Sequence, residues 1–136
     1  MDKAKPLVGI ALTILSTLLL IGVLTFAAPC DAHNAGMVGT CLWAGRTVLG
    51  VSIVTLLLSV VRIFERDEGE RRGLDLGIAL VGALVACIPG VLINLCADPA
   101  MVCNGVLRPF CMALGISLAL VGGADLVMRL LSLRKA

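Results

Sequence analysis

The sequence has few of the residues that a water-soluble domain uses to cover its surface. Among 136 residues there is no tyrosine, one tryptophan, one histidine and three phenylalanines. Only 15% of the residues are charged, against about 25% in an ordinary soluble domain. Because a soluble domain of this length needs more charge on its surface, the composition excludes most cytosolic folds.

The sequence also lacks the signals of nucleic-acid or nucleotide binding. The net charge is only +2, and the chain has no Gly-rich loop or ATP-binding motif that would cradle phosphates. It does have apolar residues, which make up 60% of the chain. We therefore predict an integral membrane protein in contact with the lipid bilayer, with no nucleic-acid partner.

Four stretches are long and apolar enough to cross the hydrocarbon core as helices, which takes roughly 20 residues. They predict helices at about 7–28, 42–64, 74–95 and 109–131. The first has too long an apolar core for a secretory signal, so it is interpreted as a membrane helix. The fold class predicted for the single domain, residues 1–136, is an all-α membrane four-helix bundle.

Lysine and arginine are unevenly divided between the two sides that these helices define. Nine lie on the side of the termini, and only Arg46 and Arg108 lie on the other. The positive-inside rule therefore predicts that both termini are cytoplasmic, in the cell (inner or cytoplasmic) membrane. The loops at about 29–41 and 96–108 are then the outer loops.

Two segments of the chain recur, which predicts two duplicated helical hairpins. Gly9–Leu12 in the first helix returns as Gly77–Leu80 in the third, and Leu49–Ile53 in the second resembles Leu114–Leu118 in the fourth. Because apolar helices draw on few residue types, chance similarity is the alternative explanation.

Small residues and one proline mark where helices are expected to pack or bend. Gly115, Ala119 and Gly123 form a small face on the fourth helix, and close packing in membranes depends on such faces. Pro89 removes a backbone donor from the third helix, so a kink is expected there.

The acidic residues of the predicted helices lie at the cytoplasmic ends. Asp125 and Arg129 are four residues apart and are expected to pair, and Asp75 is expected to pair with Arg72 or Arg129. With no ionisable group near the midplane, transport by this chain alone is disfavoured.

Five of the six cysteines lie at or beyond the predicted outer surface, and Cys87 lies deeper. Thiols oxidise on that side of a cell membrane, so structural disulfides are the default prediction. Pairing Cys30 with Cys41 and Cys96 with Cys103 would close each outer loop, although four cysteines permit three pairings.

A redox role for the cysteines is the alternative to structural disulfides that close the loops. Quinone-linked disulfide oxidases and the vitamin K epoxide reductase family also place cysteine pairs at the outer ends of four-helix bundles, but they use a C-x-x-C motif that this chain lacks. Arg46 and Arg108 each follow a loop cysteine, Cys41 and Cys103, by five residues. A quinone-linked membrane thiol-disulfide oxidoreductase is therefore the alternative function.

A soft metal such as copper is a third possibility for the outer loops. The candidate ligands are His33, Met37, Cys41, Met101 and Cys103. We expect the two loops to face each other and form one outward site, with Arg46 and Arg108 at its edge and the thiol of Cys111 nearby. A cysteine in a disulfide presents no thiolate to a metal, so the oxidation state decides between the two uses.

The loop Cys96–Cys103 has the pattern C-x-x-P-x-M-x-C, and the first outer loop contributes Met37, Cys41, Trp43 and Gly45. With the helix layout, these residues resemble a family of small four-helix bacterial membrane proteins, domain of unknown function 4418, over nearly the whole chain. In that family a histidine commonly follows the cysteine of the first loop.

Here Leu42 follows Cys41, and this departure weakens the metal interpretation. The resemblance implies an accessory subunit of an ABC-type permease of the exporter-like class, in metal or thiol homeostasis. Since the chain has no ATP-binding motif, its energy would come from that partner. The resemblance implies no catalytic activity. The predicted role is an accessory membrane subunit with a disulfide- or metal-capable outer Cys/Met site, and the thiol-disulfide oxidoreductase stays the alternative.

Overall fold

The computed structural model describes residues 4–27, 40–95, 100 and 103–136, without the side chains at positions 4, 5, 41 and 103. Its four α-helices are α1 (Ala4–Leu24), α2 (Thr40–Phe64), α3 (Glu68–Cys87) and α4 (Arg108–Lys135). A π-helical turn, Cys103–Leu107, leads into α4 where the sequence predicted an outer loop. The described residues confirm the predicted all-α bundle.

Among the described residues, three helical segments are long and apolar enough to cross a membrane: Pro6–Leu24, Leu42–Phe64 and Asn104–Lys135. Large apolar side chains such as Leu18, Leu57 and Leu120 are exposed on the outside of the bundle. In water such an apolar surface would be unfavourable, whereas in a bilayer it contacts the equally apolar lipid chains. The chain is therefore a membrane protein whose surroundings include the lipid bilayer.

The third helix begins earlier than the predicted 74–95, because charged residues outside the apolar stretch still form helix. The carboxylate of Asp67 caps α3 by accepting the N–H of Gly69 at 2.8 Å. Glu68 and Glu70 lie in the first turn, where negative charge favours the helix dipole.

The third helix also ends earlier than predicted, because Pro89 terminates it instead of kinking it. Gly90 follows with φ +104°, a left-handed conformation that glycine adopts without strain. The chain turns back there, and the N–H groups of Val91 and Leu92 both donate to the carbonyl of Cys87, at 3.2 and 3.1 Å. The helix therefore ends at residue 87, although the sequence stays apolar up to position 95.

Consecutive helices run antiparallel, so the bundle has two ends at which helix starts and helix ends meet. At one end Gly9 of α1 lies against Ile63 and Arg62 of α2. At the other, the Phe26 and Phe110 rings meet edge to face, with centroids 4.9 Å apart. The start of α1, the α2–α3 turn and the end of α4 therefore share one end, named here the charged end. Apolar side chains fill the core between the ends: Leu12, Leu19, Ile78, Val85 and Leu118.

Helices α3 and α4 pack backbone against backbone through glycines. A Cβ on Gly115 would lie 2.6 Å from the carbonyl oxygen of Gly82, and one on Gly122 would lie 3.1 Å from that of Asp75. A Cβ on Gly123 would meet nothing within 4 Å among the described residues. Gly122 follows Gly115 by seven residues and lies on nearly the same face of α4, whereas Gly123 follows it by eight and is rotated about 80° away. Gly122 therefore makes the contact that the sequence had predicted for Gly123.

Candidate functional site

Most of the predicted outer site falls outside the part of the chain that the structure describes. This applies to five residues: Cys30, His33, Met37, Cys96 and Met101. Cys41 lies in the first turn of α2 and Cys103 begins the π-helical turn, but their side chains are not described. The disulfide and metal assignments of these residues therefore stay predictions.

Three predicted residues of the outer region are described. Arg46 is exposed on α2, and Cys111, in the first turn of α4, is a free thiol that is fully buried in the core. The Arg108 guanidinium covers the turn at Gly90, where an added Cβ would lie 3.1 Å from Arg108 Nε. Arg108 therefore packs against the turn that follows α3. In the sequence, this turn comes shortly before the segment that carries Cys96.

A buried cluster of two arginines and two aspartates occupies the charged end. Arg62 of α2 donates through Nε to Asp75 Oδ1 and through Nη2 to Asp75 Oδ2 of α3, the latter at 3.3 Å. Its Nη2 also donates to Asp125 Oδ2 of α4, at 2.5 Å. Arg129 Nε donates to that same oxygen at 2.9 Å. We call these four residues the charge cluster.

The charge cluster is almost sealed from its surroundings. The side chains of Arg62 and Asp75 are 2% and 0% exposed, and those of Asp125 and Arg129 are 10% exposed. The two positive and two negative charges neutralise each other. Burial requires this, because an unpaired charge at this position would carry the full desolvation penalty. The cluster connects three helices and fixes their relative register.

The pairing within the cluster differs from the one expected from the sequence. Asp125 and Arg129 do pair, as predicted, but the main partner of Asp75 is Arg62, and Arg129 Nε lies 3.8 Å from Asp75 Oδ2. A signal for this was present in the sequence. Arg62 interrupts an apolar span, and a charge inside such a span needs a buried partner.

A three-residue turn, Glu65–Asp67, sets α3 against α2 so that Arg62 and Asp75 meet. The Glu65 carboxylate accepts the N–H groups of Asp67 and Arg66, and Arg71 Nε donates to the Glu65 carbonyl at 2.6 Å. The Asp67 N–H above all, then a hydrogen bond with Glu70, lowers the pKa of Glu65. The same contact with Glu65 raises the pKa of Glu70.

A line of hydroxyl groups follows one face of α2 toward the charge cluster. Ser52, Thr55 and Ser59 are fully buried, and their spacing of three and four residues continues to Arg62. Ser59 Oγ lies 3.1 Å from Ser16 Oγ of α1. Sequence reasoning missed this polar face, which the spacing of these residues in an apolar helix could have revealed. Hydroxyl pairs of this kind hold helices together in lipid.

The sequence matches the model of one protein family, described as Domain of unknown function (DUF4418), over residues 12–128. The chain belongs to this family. The matched region includes Arg62, Asp75 and Asp125 and ends one residue before Arg129. No curated protein and no solved structure matches the chain.

Within the described part of this DUF4418 protein, the polar groups serve the packing of the bundle. No group of three or more His, Cys, Asp or Glu residues there is arranged to hold a metal ion. The carboxylates of Asp75 and Asp125 are engaged by arginines.

Proposed function

We propose that this protein is an accessory membrane subunit that works with an ABC-type permease of the exporter-like class, in metal or thiol homeostasis. Its ligand-facing part is the outer site of Met37, Cys41, Met101 and Cys103, for a soft metal such as copper. The observation that carries the proposal is the mutual neutralisation of the charge cluster.

A transporter that works alone usually carries an ionisable group that exchanges ions or protons with its substrate. In the described part of the chain, the buried charges of Arg62, Asp75, Asp125 and Arg129 are paired with one another. This favours a bundle that is a fixed scaffold. The sequence has no ATP-binding motif, so energy comes from a partner, and the permease assignment follows the family resemblance.

The placement in the membrane is part of the same proposal. Both termini lie on the cytoplasmic side of the inner membrane. In the oxidised protein the outer loops are closed by the pairs Cys30–Cys41 and Cys96–Cys103, and the soft metal binds only after these pairs are reduced. Support comes from the basic residues gathered at the charged end: Arg66, Arg71, Arg72, Arg134 and Lys135.

The test is purification of the tagged protein from its own membranes in a mild detergent. We expect a permease and its ATPase at fixed stoichiometry, and ATP-dependent transport by the reconstituted permease should fall when this chain is omitted. A complex rebuilt with Met101→Ala and Cys103→Ser should assemble but transport less, whereas the lipid-facing control Leu120→Ala should behave as wild type.

Two results would reject the proposal. One is unchanged transport without the chain. The other is reduction of ubiquinone or menaquinone by the isolated protein when it receives electrons from a reduced thioredoxin-like donor, which would establish the thiol oxidoreductase instead.

A further inference from the structure

Two arginine donors at the charged end are buried without a hydrogen-bond partner among the described residues. One is Nη1 of Arg129 in α4, and the other is Nε of Arg72 in α3. The Arg129 side chain is nine-tenths buried, and its Nε is already engaged, since it donates to Asp125 Oδ2 at 2.9 Å. A buried guanidinium N–H without an acceptor costs free energy, so each of these two donors favours the binding of an acceptor group.

The Arg129 side chain lies along one face of α3 and approaches two of its acids. Arg129 Nε is 3.8 Å from Asp75 Oδ2, and Arg129 Nη1 is 3.8 Å from Glu68 Oε2. Arg72 follows Glu68 by four residues and precedes Asp75 by three, so it shares their helix face. The guanidinium of Arg129 therefore covers the part of α3 that carries Arg72, and the two unpartnered donors belong to one region of the charged end.

Glu68 lies where this region opens to the surface and shows the kind of group that it accepts. The Glu68 side chain is 48% exposed, and its carboxylate stays 3.8 Å from Arg129 Nη1, too far for a hydrogen bond. Arg72 adds a positive charge beside the charge cluster, whose own four charges cancel, and the half-hydrated Glu68 compensates that added charge only in part. A water molecule would satisfy the two donors without adding negative charge, so the region favours an anion.

We propose that Arg72 and Arg129 bind a phosphate group at the charged end, in place of the Glu68 carboxylate. Arg72 Nε and Arg129 Nη1 donate to its oxygens, while Arg129 Nε keeps its bond to Asp125. A phosphate group presents oxygens in several directions and can accept from donors on two helices, whereas the Glu68 carboxylate leaves a gap of 3.8 Å. The group is either inorganic phosphate or part of a phospholipid headgroup, and the experiment separates these two sources.

The experiment is isothermal titration calorimetry of the full chain in an uncharged detergent, with inorganic phosphate in one arm and short-chain phosphatidylglycerol in the other. Arg72→Gln should weaken binding about 10-fold, since it removes one charge-assisted hydrogen bond. Glu68→Gln should tighten binding by up to about 5-fold, because it removes the competing carboxylate. The matched control Arg66→Gln removes an exposed arginine from the α2–α3 turn and should leave the affinity nearly unchanged. Circular dichroism verifies that each variant keeps its helix content.

Variant-sensitive binding of inorganic phosphate would support the site with a free anion as its ligand, and such binding of phosphatidylglycerol alone would support it with a headgroup. Two results would overturn the proposal. One is an Arg72→Gln variant that binds as tightly as the wild type. The other is the absence of binding in both arms, even by Glu68→Gln. If Arg72→Gln then loses a protein that copurifies with the wild type, the two donors belong to a protein interface instead.

Discussion

Arg62 of α2 and Asp75 of α3 form a two-pronged, buried ion pair that joins the two helical hairpins of the bundle. Asp125 and Arg129 extend the pair onto α4. Because the arginine fork holds both oxygens of Asp75, the pair fixes the angle between the helices as well as their distance.

Removal of one partner from this pair should be far more costly than removal of both. Asp75→Leu leaves the buried Arg62 short of a counter-charge, and we expect a loss of about 3–5 kcal/mol in the free energy of unfolding. In Arg62→Leu/Asp75→Leu, the neutral Asp125–Arg129 pair remains, so the double variant should lose less than the sum of the single variants.

Reversible unfolding in mixed micelles measures these free energies, and Arg66→Gln, which replaces an exposed arginine in the α2–α3 turn, serves as the control. Additive losses in the double variant would mean that Arg62 and Asp75 do not depend on each other.

The glycine contact between α3 and α4 should tolerate no side chain. In Gly115→Ala the new Cβ would meet the backbone of Gly82 and Ala86 at 2.6 Å, so the helices must separate. We expect a loss of about 1–3 kcal/mol. Gly123→Ala is the matched control on the same helix, and it should be neutral or stabilising by up to about 1 kcal/mol from helix propensity. Equal effects at both positions, measured by thermal unfolding in micelles, would contradict the packing described.

The two outer loops should be closed by disulfides. Alkylation of the unreduced, denatured protein followed by intact-mass analysis should modify only Cys87 and Cys111, which are free thiols in the structure. Prior reduction should add four further labels and serves as the control. Labelling of Cys30, Cys41, Cys96 and Cys103 without reductant would favour a free-thiol ligand site instead.

The orientation can be tested at one position. After reduction, a membrane-impermeant maleimide should reach Cys103 from the outer side of intact cells, because the positive-inside rule predicts that both termini are cytoplasmic. A Cys103→Ser variant identifies the label. Reaction of Cys103 only in inverted membrane vesicles would reverse the predicted topology.

Binding of a soft metal should depend on the outer loops and on their oxidation state. Cu(I) titration of the reduced protein should show binding that Met101→Ala/Cys103→Ser abolishes and that oxidation of the loops also abolishes. Met128→Ala is the control, since Met128 is exposed on α4 near the charged end. Binding that survives the double variant would place the metal elsewhere.

Local patterns in the sequence were enough to predict the class of the protein and most of its helices. Membrane helices depend on a local property, the run of apolar residues, so α1, α2 and α4 lie close to the predicted 7–28, 42–64 and 109–131. The loop pattern and helix layout were likewise enough to identify the family, which the match over residues 12–128 confirms.

Which polar groups meet inside the bundle, and which apolar residues face lipid, depends on how the helices pack and could not be predicted from local patterns. Lipid and the bundle interior are both apolar, so composition does not distinguish the buried face of a membrane helix from its lipid-facing side. The partner of Asp75 was decided by the short α2–α3 turn, which brings Arg62 to it from 13 positions away. The Arg108 side chain at the start of α4 covers the turn at Gly90, and this contact joins residues 18 positions apart that no local pattern connects.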